Sequence, residues 1–157
     1  MNEAAIGIIG GSGLYHLDGF AELAERKIET PFGAPSDSII GGIMSGRSVY
    51  FLPRHGRGHR FSPTSINYRA NIDILKRAGV TDVVSLSACG SLREELEPGC
   101  FVLIDQFIDR TFARDKSFFG EGMVAHVSMA HPTCGRLAEA IHDCARSAGY
   151  PVKLGGT

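Results

Sequence analysis

Apolar residues in this chain fall into short runs broken by glycine, and the spacing inside each run predicts its element. Ala5-Ile6-Gly7-Ile8-Ile9 carries no polar side chain, the pattern of a strand covered on both faces. It runs into the glycine turn Gly10-Gly11-Ser12-Gly13. Ser38–Met44 and Ser48–Leu52 read as a pair of short strands joined at Ser45-Gly46-Arg47, where Gly46 can supply a positive φ. From Ser65 to Ala78 the residues Ile66, Ala70, Ile74 and Arg77 recur at helical spacing. Ile72 and Leu75 widen that face, and Gly79 closes it. Asp82–Ala88 (DVVSLSA) is the strongest strand pattern. Phe101–Ile104 is another, entered through a Pro98-Gly99 turn. Thr133–Ala148 reads as a helix with Thr133 as N-cap and Gly149 as its stop, and Val152–Leu154 starts one more strand.

Strands alternating with two helices predict an α/β fold, a mostly parallel or mixed sheet flanked by helices. A length of 157 residues suits one domain. The segment Arg110–Val124 has weak periodicity and carries Phe112, Phe118 and Phe119; it reads as a surface loop, or as a contact surface for another chain.

Charge alters this picture in one place. The chain holds 16 basic and 17 acidic residues, a net charge of -1, which leaves no footprint for nucleic acid or a membrane surface. Yet Arg54, His55, Arg57, His59 and Arg60 crowd one corner directly after the apolar run ending at Pro53. A local cluster on a neutral protein suits a small anion better than a polymer. No apolar run approaches the roughly 20 residues a membrane helix needs. Glu3 precedes the first apolar run and the first lysine or arginine is Arg26, so no secretory leader is expected. Cys89, Cys100, Cys134 and Cys144 form no Cys-x-x-Cys pair, and free thiols in a cytoplasmic protein are expected.

Three strand exits could carry chemistry. The turn Gly10-Gly11-Ser12-Gly13 exposes backbone N–H groups that can hold an anion, with Ser12 adding a hydroxyl. It lacks the third glycine of a dinucleotide fingerprint and the lysine of a P-loop. On these residues alone, a tight turn that simply needs glycine is an equal reading. At the second exit, Arg54 offers a guanidinium fork that matches phosphate or carboxylate oxygens, with His55 beside it. Arg57 and Arg60 read as a solvated basic loop. His55 and His59 have a metal spacing only on a helix, which Gly56 and Gly58 oppose, so no metal is expected. The third exit is Ser87-Ala88-Cys89-Gly90, where small residues let a ligand approach the backbone and Ser87 can donate a hydroxyl. Taken without the other two exits, core packing in a buried strand is the better reading of Ser87 and Cys89, and Cys89 has no base beside it to make it a nucleophile.

The motifs IGIIGGSGLY, TPFGAPSD, PRHGRGH, SINYRANI, ACGSLREEL and DQFIDRT together resemble the 5'-methylthioadenosine phosphorylase branch of the trimeric purine nucleoside phosphorylases. The resemblance runs along nearly the whole chain. It implies phosphorolysis of 5'-methylthioadenosine to adenine and 5-methylthioribose 1-phosphate, with inorganic phosphate as co-substrate and no cofactor. It also implies a phosphate site of Ser12, Arg54, His55, Ser87 and Ala88. Cys89 and Gly90 would lie on the nucleoside side, joined by His126 from a neighbouring subunit of a homotrimer. Two other readings stay open: a phosphorylase of 6-oxopurine nucleosides or methylthioinosine, and a non-catalytic phosphate-binding or oligomer-forming module.

Members of that family are much longer. The expectation is therefore that residues 1–157 are the N-terminal portion of a single nucleoside phosphorylase domain, with the C-terminal half beyond Thr157 or on a separate chain. The acid that assists purine departure would lie in that half, and residues 1–157 alone would be inactive.

Overall fold

The computed structural model describes residues 4–11 and 20–157. In chain order they form β1 (Ala5–Gly10), β2 (Ala21–Arg26), β3 (Ile39–Met44), β4 (Arg47–Pro53), α1 (Tyr68–Arg77), β5 (Val80–Ser85), β6 (Phe101–Leu103), α2 (Gly135–Ser147) and β7 (Val152–Leu154). The chain divides into two compact units. One holds the chain up to Ala88 with Ala113–Phe118; the other holds Cys89–Phe112 and Phe119–Thr157.

The first unit is built on a five-stranded sheet of order β2-β3-β4-β1-β5. β1 lies parallel to both neighbours, β4 and β5, while β2, β3 and β4 are antiparallel, so the sheet is mixed. β3 and β4 meet in a two-residue turn with φ of 50° at Ser45 and 76° at Gly46, the left-handed pair a primed turn demands. One face of the sheet receives α1. Ala70, Ile74 and Leu75 on the helix and Ile9, Tyr50, Leu52 and Val80 on the strands are each less than a tenth exposed. Fully burying an aliphatic side chain of this size contributes about 1.5–3 kcal/mol, so α1 is fixed to the sheet by a few residues.

Several expected boundaries move. β2 escapes the pattern because Ala-Glu-Leu-Ala-Glu-Arg is made of helix formers; pairing with β3 overrides that propensity. α1 begins at Tyr68 rather than Ser65, because Asn67 is the N-cap and accepts from the Ala70 N–H. Ser62 and Ser65 instead close a turn of their own. Ile72 does not widen the buried face: it is 41% exposed, and Asn71 takes a buried place instead. β5 starts just after Gly79 and ends at Ser85, short of the expected Ala88.

In the second unit β6 and β7 pair in parallel, Phe101 against Val152 and Leu103 against Leu154. α2 is the crossover between them in sequence. Its N-cap is Cys134, one residue beyond Thr133, and it makes no side-chain capping bond. Asp105 accepts from the Gly156 N–H, and Leu103 accepts from that of Gly155, which holds the chain end across the strand pair. The expected loop Arg110–Val124 has neither helix nor strand. Its 113–118 portion lies on the first unit: Arg114 covers the Tyr68 ring, Asp115 pairs with Arg69, and Phe118 meets Phe32 edge-on at 5.2 Å. Phe112 is almost fully exposed.

Candidate functional site

Because β4, β1 and β5 are parallel, their carboxyl ends share one edge of the sheet. Gly10 is level with Pro53, and Ile9 with Ser85. The ladder continues one bond past the strands on either side. Arg54 N–H donates to Gly10 O at 2.9 Å, and Leu86 N–H donates to Ile9 O at 2.8 Å. The exits at Gly11, Arg54 and Leu86 are therefore held side by side by the main chain.

Side chains then close the corner. The Arg54 guanidinium reaches across the end of β1, donating from Nη1 to Leu86 O at 3.0 Å and to Ser87 Oγ at 2.7 Å. Its Nε donates to His55 Nε2 at 3.3 Å. His55 Nδ1 lies 2.8 Å from Phe61 O. A carbonyl can only accept, so Nδ1 carries the proton; Nε2, which accepts from Arg54, is then the lone-pair nitrogen. Among the described residues Arg54 has only neutral partners, and its Nη2 group takes none of these bonds. A half-buried guanidinium with two N–H groups unspent and no carboxylate beside it favours an anion.

The other arginines of the corner differ. Arg57 pairs with Glu25 at 3.6 Å and Arg60 with Asp37 at 3.9 Å. The Arg57–Glu25 pair is exposed on both sides and contributes about 0–1 kcal/mol, while Asp37 is largely buried; both pairs spend the arginine's charge. The expectation that these two arginines belong to a solvated basic loop holds. The loop itself is tightly wound. Gly56 and Gly58 have φ of 70° and 79°, and His59 takes φ 55°. No helix forms, and the His55 and His59 rings stack at 4.1 Å. Among the described residues no cluster of three or more His, Cys, Asp or Glu could hold a metal ion.

Among the described residues, the remaining predicted site residues make none of these bonds. Ser12 lies outside the described residues. Ala88 is exposed and directly follows Ser87. Cys89 and Gly90 open the second unit, also exposed, and His126 is exposed within that unit. Further along, the Glu95 carboxyl is held below the usual carboxylate range, first by a hydrogen bond from its own backbone N–H and then by the Arg93 side chain. Sequence reasoning missed three supports of the corner. The Phe61 carbonyl orients His55. Asp37 accepts from the Arg57 N–H at 2.6 Å. Ser36 accepts from Arg60 at 3.2 Å. An asparagine on the apolar stripe of α1, Asn71, was the available signal that something polar is buried beneath the loop.

The fold is that of an α/β protein whose parallel-strand edge carries a hydroxyl and a guanidinium with neutral partners. The chain belongs to the phosphorylase superfamily, whose family pattern matches residues 5–157. It is similar to the S-methyl-5'-thioadenosine phosphorylase of Cereibacter sphaeroides, 62% identical over 155 residues, which is 99% of this chain and 53% of that protein. The enzyme of the same name from Bradyrhizobium diazoefficiens is 56% identical over 157 residues, 100% of this chain and 54% of that one. Among solved structures, a methylthioadenosine phosphorylase from an antarctic soil metagenomic library superposes with a TM-score of 0.91 at 47% identity, covering 99% of this chain and 54% of that chain. The methylthioadenosine phosphorylase of Schistosoma mansoni in complex with adenine gives 0.87 at 40% identity, covering 93% and 55%. The chain thus spans about half the length of the relatives it matches.

Proposed function

We propose that the protein catalyses phosphorolysis of 5'-methylthioadenosine, and that the Arg54 corner is its phosphate site. A phosphate oxygen forms a bond to the anomeric carbon as the bond from that carbon to the purine nitrogen breaks. The purine takes up a proton as it leaves, balanced by the one that hydrogen phosphate gives up, so the products are neutral adenine and 5-methylthioribose 1-phosphate. The transition state is oxocarbenium-like, as in glycoside hydrolysis. The task of the corner is to hold and aim the anion: Arg54 by charge, Ser87 and Ala88 and the Gly11–Ser12 backbone by hydrogen bonds, His55 by keeping Arg54 in place. Phosphate is a co-substrate here, with no cofactor. The observation that carries this reading is the guanidinium of Arg54, spanning two strand exits with neutral partners only. The names of the relatives, and the adenine bound to the Schistosoma enzyme, support the substrate.

On the same reading residues 1–157 are the N-terminal portion of one nucleoside phosphorylase domain, the protein is a homotrimer, and His126 reaches the 5'-substituent of a neighbouring subunit. Cys89 and Gly90 face the nucleoside. The four cysteines are free thiols, which suits a cytoplasmic protein. The test is phosphate-dependent release of adenine by the full-length protein. Arg54→Ala should remove about 2–5 kcal/mol of phosphate binding. An unchanged phosphate dependence in that variant would return the corner to an ordinary basic loop, and faster release of hypoxanthine from a 6-oxo substrate would reassign the base.

A further inference from the structure

The motifs Thr30–Asp37 and Ser65–Ile72 have no part in holding the anion, yet both are tied to the loop that does. Asn71 occupies the buried face of α1 and is 2% exposed. Its Oδ1 accepts from the Ser36 N–H at 2.8 Å, and its Nδ2 donates to Ser36 Oγ at 2.9 Å. Ser36 is itself 1% exposed. The Ser36 carbonyl in turn accepts from Arg60 and lies against Gly56, where a Cβ atom would come within 2.7 Å of it. One residue on, Asp37 holds the Arg57 N–H. Residues 36 and 37 therefore grip the loop at three points, beginning directly after His55.

Two buried polar side chains are costly unless each satisfies the other, and apolar residues would fill the space with less risk. The amide and the serine add direction instead. One hydrogen bond to the Ser36 main-chain N–H and one to its hydroxyl fix the residue against α1, and its carbonyl then limits where the chain can turn at Gly56. We propose that Asn71 is a positioning residue for the anion site: by holding Ser36 it sets the turn at Gly56, and through that turn the placement of Arg54 and His55. This inference rests on the phosphorylase reading above.

The experiment compares the full-length wild-type protein with Asn71→Ala, Ser36→Ala and Ile74→Ala. Ile74 is buried on the same helix and its aliphatic side chain can form no hydrogen bond to Ser36, so it controls for loss of stability. Phosphate KM, nucleoside KM, kcat and Tm are measured for each. Asn71→Ala should raise phosphate KM roughly ten- to a hundredfold, as sub-ångström misplacement of a binding group does, and leave nucleoside KM near wild type. Ile74→Ala should lower Tm at least as much without moving phosphate KM. Wild-type phosphate KM in Asn71→Ala, or equal shifts in Asn71→Ala and Ile74→Ala, would overturn the inference while phosphorolysis by the wild type stands. If Asn71→Ala does not fold, Asn71→Leu decides the matter, because it fills the space and removes both bonds to Ser36: a raised phosphate KM supports positioning, an unchanged one refutes it, and Ser36→Ala, which keeps the N–H bond, should raise it less. A wild-type protein with no phosphate-dependent turnover and no calorimetric binding of inorganic phosphate would overturn both readings.

Discussion

Arg54 Nη1 and Ser87 Oγ lie 2.7 Å apart although 33 positions separate them in the chain. The bond joins the exits of β4 and β5 across the end of β1. It makes Ser87 an anchor for a cation, besides any contact of its own with an anion.

Ser87→Ala should therefore weaken phosphate by more than the loss of one neutral hydroxyl. Hydrogen bonds to charged groups contribute about 1.5–3 kcal/mol, which sets the expected rise in phosphate KM at roughly ten- to a hundredfold. Ser87→Thr keeps the oxygen and should restore most of it. Equal KM values for the alanine and threonine variants would refute the anchoring role.

His55 should be observed as the tautomer protonated at Nδ1. Phe61 O demands a donor there, and Arg54 Nε–H demands a lone pair at Nε2. Nitrogen-15 NMR of the imidazole distinguishes the two neutral forms directly. A proton on Nε2 in the anion-free protein would contradict the arrangement. His55→Asn, which can still donate to Phe61 O, should keep the loop but release Arg54.

Asn67 does more than cap α1. Besides accepting from Ala70 N–H, it donates to Phe32 O at 2.7 Å and to Ala34 O at 3.2 Å. An ordinary N-cap substitution costs about 1 kcal/mol, and Asn67→Ala should exceed that in chemical denaturation. Asn67→Asp keeps the cap and loses the two donated bonds. Wild-type stability in Asn67→Asp would show that the cap is the whole of its contribution.

The Ser45–Gly46 turn offers a stabilising change. Asparagine accepts the left-handed region more readily than serine, so Ser45→Asn should raise stability by a few tenths of a kcal/mol, roughly. Gly46→Ala, at φ 76°, should lower it by about 1 kcal/mol. Neither change should move phosphate KM, because nothing lies within 4 Å of a side chain at Gly46 and the turn is at the far end of β4 from Arg54.

The sheet was legible in the sequence wherever its strands carry their own apolar signal. β1, β3 and β4 show it, and the glycine at the hairpin tip marks their order. β2 was not legible, because its residues favour helix and only the pairing with β3 makes it a strand. The start of α1 was hidden for a related reason: Ser65 and Asn67 are both capping residues, and only Asn67 meets a free N–H. At the site, Arg54 stood out as a cation placed at a strand exit. What separates it from Arg57 and Arg60 is the company each keeps, Glu25 and Asp37, which are distant in the chain. No local pattern records that. Asn71 broke the apolar stripe of its helix and so was visible, but its partner Ser36 was not.

Among the described strands β1 comes first in the chain and lies between two that follow much later, β4 and β5. On a ribosome it must stay unpaired while β2, β3 and their hairpin with β4 emerge, and the sheet can enclose it only once α1 and β5 have followed. Domains fold as units during synthesis, and an apolar strand left waiting is a target for chaperones or for a second nascent chain. The glycines at its end, Gly10 and Gly11, gain their neighbours on both sides at that same late step. The anion corner is thus a product of closure, and a ribosome stalled before β5 would present every residue of the basic loop and no site.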